Sequence, residues 1–122
     1  MNIKEYMKDN VIFLDGGMGT TLQKAGLKPG ELPEEWNIEK PELISKIHQD
    51  YFDAGSNVVN TNTFGANRVK YHDAPYTLKQ VIEAAVENVR SVSEDIIVAL
   101  DMGPTGKLLK PMGDLSFEDA YE

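Results

Sequence analysis

A carboxylate set against glycine-rich backbone is the first chemistry this sequence offers. Asp15 is followed by Gly16, Gly17, Met18 and Gly19. Glycine lets the chain turn through positive φ and lets a ligand approach the main chain closely. An acid beside bare backbone N–H groups can hold a small zwitterion, the acid taking its ammonium and the amides its carboxylate. A tight strand-to-helix turn without a ligand is the plainer reading of the same residues. Two more loops carry comparable residue types. Thr61-Asn62-Thr63-Phe64-Gly65 brings hydroxyls, and Asp101-Met102-Gly103-Pro104-Thr105-Gly106 brings a second acid. Trp36 is the single tryptophan and stands in a polar loop, either as a lid on a core edge or as the wall of a pocket.

Other motifs fail on spacing. Gly17-Met18-Gly19-Thr20-Thr21-Leu22 lacks the last glycine of a dinucleotide fingerprint. Gly103-Pro104-Thr105-Gly106-Lys107-Leu108 has Asp101 where a phosphate loop needs its first glycine, and Leu108 where it needs Ser or Thr. His48 lies on the apolar stripe of a helix and reads as a core residue. His72 stands beside Asp73 at a helix end, and no acid or cysteine completes a metal set around the two histidines. Glu34-Glu35 reads as a solvated acidic turn.

The elements that must position these loops follow from periodicity. Asn2–Asn10 reads as a short helix with Ile3, Tyr6 and Met7 on one face. Val11–Leu14 reads as a short buried strand, and Thr20–Ala25 as a helix stopped by Gly26. Pro41 suits a first helical position, Ile44, Ile47, His48 and Tyr51 follow at helical spacing, and Gly55 ends the helix. Strands are expected over Asn57–Asn62 and Ile96–Leu100, with a short helix over Ala66–Tyr71. Thr77 and Gln80 form a capping box for a long helix carrying Leu78, Val81, Ile82, Ala85, Val89 and Val92. Ser116 caps a last helix. Strands that are continuous apolar runs suit a parallel sheet buried on both faces. Sites in such folds form at the C-terminal strand edge, where all three polar loops fall. An open doubly wound sheet and a closed barrel both fit this order.

Bulk properties narrow the function. The 122 residues suffice for one domain. Lys plus Arg number 12 and Asp plus Glu 20, a net charge of −8 that argues against nucleic acid and anionic membranes as partners. There is no cysteine, so these residues contain no disulfide, thiolate nucleophile or thiolate metal site. The mixed, charged Met1–Asn10 is no signal segment, and the cytoplasm is the expected compartment.

Taken together, the loops resemble the homocysteine S-methyltransferase family. The resemblance is carried by Asp15 through Thr20, Lys28 through Asn37, Ala54 through Asn67, and Gly103 through Gly106. Within the family, the wording is most similar to the cobalamin-dependent methionine synthases. Fusions of this domain to methylenetetrahydrofolate reductase are the near alternative. The resemblance implies α/β architecture, here the first three βα units of a (β/α)8 TIM barrel of about 250 residues or more. Residues 1–122 are then the N-terminal portion of a truncated homocysteine-binding domain.

The resemblance also implies roles. Asp15 matches the acid that meets the homocysteine amino group. Gly16, Gly17 and Met18 match the turn lining the amino-acid end of the substrate. Trp36 matches a pocket wall, and Thr61 and Phe64 match contacts in the loop after the second strand. Thr63 shares a face with Thr61 by strand alternation. The family's zinc is held by cysteines, including a Gly-Gly-Cys-Cys-Gly pair, that are expected beyond Glu122. No metal or catalytic residue is therefore expected here, and the fragment alone is expected to be inactive. In the complete enzyme, zinc would activate the homocysteine thiol and methylcobalamin on another domain would donate the methyl group. A different donor, such as S-methylmethionine or betaine, and a non-catalytic small-molecule-binding half-barrel are the alternatives.

Overall fold

The structure, a computed structural model, describes residues 2–122. Helix α1, Ile3–Asp9, is capped by Asn2, whose side chain accepts from the Lys4 N–H. It buries none of its residues, so the stripe of Ile3, Tyr6 and Met7 has no core to meet within the described residues. Helix α2, Gly19–Lys24, ends before Gly26, whose φ of +106° releases the chain from the helix. A single 3-10 turn, Pro33–Glu35, leads into α3, Trp36–Glu39. Helix α4, Pro41–Asp53, starts on proline and buries Ile44, Ile47 and His48. Both ends of the capping box close on α5, Leu78–Arg90. Helix α6, Phe117–Tyr121, is capped by Ser116.

The sheet is parallel, as the sequence predicts. Strand β1, Val58–Asn60, pairs with β2, Ile97–Ala99, in the register Val58 to Ile97. The residues before Asp15 run along the other side of β1. Phe13 O accepts from the Asn57 and Val58 N–H groups at 2.8 and 3.1 Å, and Asp15 N donates to Val58 O at 3.1 Å. Chain order and spatial order therefore agree across the three segments. The fold is α/β with a small parallel sheet.

Two apolar clusters hold it. Leu22, Trp36, Ile44 and Ile47 join α2, α3 and α4. Val59, Val89 and Ile96 join the sheet to α5. Burial of such side chains contributes about 1.5–3 kcal/mol each before entropy is charged.

Three expectations need correction. Val11–Leu14 is no buried strand: it forms one bridge, Leu14 to Val58, and Leu14 is 65% exposed. Val11 and Phe13 are exposed as well and Ile12 is only half-buried, so among the described residues no layer packs fully over this segment. Nor are both faces of the sheet buried, because each residue of β2 is partly exposed. Ala66–Tyr71 is a turn and not a helix. Asn67 takes the Lys70 N–H on its own side chain at 3.1 Å, the local competition that makes asparagine a turn former.

Candidate functional site

All three polar loops leave the sheet at its C-terminal edge. A cavity of about 460 Å³ opens there, lined by Met18, Glu34, Thr61, Thr63, Phe64, Lys70 and Asp101, among others. The walls thus come from the glycine turn, the 3-10 turn and the loops after β1 and β2.

The two threonines close a ring with Asp101. Thr63 Oγ1 donates to Asp101 O at 2.7 Å, which commits its one proton. The 2.7 Å contact between the two hydroxyls must then be donated by Thr61. Thr61 Oγ1 in turn accepts from Asp101 N at 3.2 Å. Both hydroxyl protons are used inside the protein, so toward a ligand these side chains present only acceptor lone pairs. The pair does not meet by strand alternation: β1 ends at Asn60, and Thr63 N donates back to Thr61 O at 2.9 Å, so a tight turn brings the two hydroxyls together.

Asp15 is held from the neighbouring strand. Asn60 donates through its side chain to Oδ1 at 2.6 Å and through its backbone to Oδ2 at 3.1 Å. Burial pushes the Asp15 carboxyl above its ordinary range. The Asn60 bonds pull the other way, and the Asp101 charge adds to the upward push. Asp15 is half-buried at the same sheet edge but is not among the residues lining the cavity.

Gly16 and Gly17 pack onto α4 and α2. A Cβ on Gly16 would lie 2.9 Å from the Tyr51 ring, so a side chain there would push the ring aside. Gly17 O accepts from Tyr51 Oη and Thr21 Oγ1, both at 2.9 Å. Met18 reaches both the apolar cluster and the cavity.

Two expectations change here. Trp36 is 4% exposed and packs in the core, its ring capped by Lys40 Nζ at 3.6 Å from the centroid. It is a core residue and does not line the cavity. Glu34 is no solvated turn residue: it is 3% exposed, and its Oε1 accepts from Gly65 N at 2.5 Å. Glu35, its neighbour, is only partly buried.

Local periodicity misses several supporting residues. Asn60 orients Asp15. Asn62 donates to Pro33 O at 2.9 Å and to Asn37 Oδ1 at 3.0 Å, while Asn37 donates to Asn62 O at 2.8 Å. Asn88 on α5 donates to Asn37 O at 3.0 Å. The available signal was asparagine inside or beside apolar runs, since buried amides need partners.

Gly103 presses on the same loop. A Cβ there would stand 2.2 Å from Phe64 O and 3.0 Å from its ring. Gly103→Ala is expected to displace Phe64 and cost about 1–3 kcal/mol, the usual range for overpacking. Hydrogen exchange should quicken in 61–65 and 101–106 while α5 keeps its protection. Unchanged exchange in both loops would refute the contact.

An α/β fold with a cavity at the C-terminal ends of parallel strands defines a broad class. Sequence comparison narrows it. The family profile described as homocysteine S-methyltransferase matches residues 12–122. This chain belongs to that family. Methionine synthase of Mycobacterium tuberculosis is 29% identical over 138 aligned residues, covering 98% of this chain and 12% of that protein. Betaine–homocysteine S-methyltransferase 1 of Mus musculus is 34% identical over 120, covering 91% of this chain and 30% of that protein. Among solved structures, the metallated homocysteine methyltransferase MmuM of Escherichia coli superposes with a TM-score of 0.73 at 25% identity, covering 85% of this chain and 42% of that one. The chain therefore spans less than a third of these two sequence relatives and less than half of the MmuM chain. Among the described residues, no helix is long and apolar enough to cross a membrane.

Proposed function

We propose that residues 1–122 are the N-terminal portion of a homocysteine-binding domain, the first three βα units of a (β/α)8 barrel. The whole protein would transfer a methyl group to the homocysteine sulfur and release methionine. The residues here would orient the amino-acid end of the substrate. Asp15 takes the ammonium, the Gly16-Gly17-Met18 turn lies along that end, and Thr61, Thr63 and Phe64 form the facing wall.

The observation that carries this reading is the Asp15–Asn60 pair. A carboxylate fixed through both oxygens at the sheet edge is pre-aimed, so little ordering is needed when a cation arrives. Family membership supplies the substrate class. The relatives include one named methionine synthase and one named betaine–homocysteine S-methyltransferase, and the family's name gives homocysteine as the methyl acceptor. The proposal therefore concerns the shared half of the reaction.

Zinc does not fit the residues present. The chain has no cysteine, and among the described residues no three His, Cys, Asp or Glu side chains are placed to hold a metal. Thiol activation is accordingly not assigned to any residue here. Zinc and methylcobalamin enter only as groups proposed for the complete enzyme, the latter carried on a further domain.

Asp15→Asn in the full-length protein tests the reading. It keeps the shape and removes the charge. Loss of a charge-assisted hydrogen bond costs about 1.5–3 kcal/mol, or roughly ten- to a hundredfold in affinity. The contact is the same in ground and transition states, so homocysteine KM should rise while kcat holds. A fall in kcat at constant KM would refute the role.

A further inference from the structure

Glu34 is a buried carboxylate that takes part in none of the ion pairs among the described residues. Buried acids are ordinarily paired, so its place needs a reason. Its firm contact is the 2.5 Å bond from Gly65 N to Oε1, while Oε2 is buried without a partner. A Cβ at Gly65 would stand 2.7 Å from that same oxygen, so a side chain there would push the carboxylate off the N–H it now holds. Three residues earlier, the loop is gripped again: Asn62 is bonded to Pro33 O and to Asn37. The segment 33–37 thus holds the loop at Asn62 and Gly65, on either side of Thr63 and Phe64.

We propose that Glu34 is a positioning residue: its carboxylate fixes the Gly65 backbone and so sets where Thr63 and Phe64 stand in the cavity wall. Its effect on substrate rests on the proposed function, in which Thr61, Thr63 and Phe64 form a wall of the homocysteine site. The charge matters less than the acceptor. A short bond from a backbone N–H to a carboxylate is strong, and an amide oxygen at the same place can still accept it. Since the bond is made to the backbone, it constrains the loop whatever side chains the loop carries.

The test uses the full-length protein with Glu34→Gln, Glu34→Ala, Gly65→Ala and the double variant Glu34→Ala/Gly65→Ala. Two readouts are taken: exchange of the Gly65 amide, and homocysteine kinetics. Glu34→Ala should speed Gly65 exchange by about tenfold or more with α5 unchanged, the scale of one lost hydrogen bond. Homocysteine KM should rise about tenfold with kcat within about twofold. Glu34→Gln should restore both to within about threefold of wild type, which a general loss of folding would not allow. Gly65→Ala should resemble Glu34→Ala, and the double variant should be no worse than either, because one contact underlies both losses. Unchanged Gly65 exchange in Glu34→Ala, faster exchange without a change in KM, or multiplying losses in the double variant would each overturn the proposal. Wild-type protein that fails to bind homocysteine by calorimetry would instead overturn the proposed function, and Gly65 exchange would still judge the Glu34 bond.

Discussion

Trp36→Ala is expected to cost about 3–5 kcal/mol of stability, the range for removing a large buried aromatic. The ring packs with Leu22, Ile44 and Ile47 at the junction of α2, α3 and α4. Truncation would leave a void bordered by three helices, each fixed elsewhere, so collapse can recover little of the loss. The Lys40 ammonium over the ring adds about 0.5–1 kcal/mol that also disappears. Because Trp36 does not line the cavity, protein that remains folded should bind homocysteine with a KM within about threefold of wild type. Trp36→Phe should recover roughly half of the stability. Denaturant titration and steady-state kinetics on the same preparations decide between core and wall. A large rise in KM with unchanged stability would return Trp36 to the pocket.

What could be read from the sequence divides along a physical line. Elements set by local chemistry are legible. Pro41 opens α4, Gly55 leaves it at a φ of +108°, and the Thr77–Gln80 box starts α5. Parallel pairing followed from apolar runs separated by helices. The burial of polar residues is not legible in this way. Glu34 looks like a solvated turn because the amide that donates to its buried carboxylate, Gly65, lies 31 positions away. Asn37 and Asn62 are 25 apart and Asn37 and Asn88 are 51 apart, yet each is needed for the others to be buried. Trp36 marks the same limit: its type suits both a core and a pocket wall, and only the meeting of three helices selects the core. The first strand misleads in the opposite sense. Val11 through Leu14 have the composition of a buried strand, but composition does not say which part of the chain packs over it.

Acidification should weaken this fold through His48. The imidazole is fully buried on α4, and both ring nitrogens lack a hydrogen-bond partner. Burial alone lowers its pKa from 6.5 to about 4, with no neighbouring charge acting on it. The folded-state pKa therefore lies below the unfolded one, and between the two the unfolded chain binds more protons. Stability is complete above about pH 6.5 and falls as pH drops toward 4, by about 3 kcal/mol across the window. Asp15, whose carboxyl is pushed up by burial, acts with the opposite sign, so a His48 variant is the control that isolates the imidazole. His48→Leu removes the titrating group and the two unpaired nitrogens at similar volume. At pH 7 its stability should be close to wild type, because two unmet polar atoms are exchanged for a small packing change. At pH 5 it should exceed wild type by about 2 kcal/mol, the share of the window already crossed. Hydrogen exchange of the α4 amides between pH 4 and 7, corrected for intrinsic rates, reads the difference directly. Parallel pH profiles for wild type and His48→Leu would show that the buried imidazole carries none of the acid sensitivity.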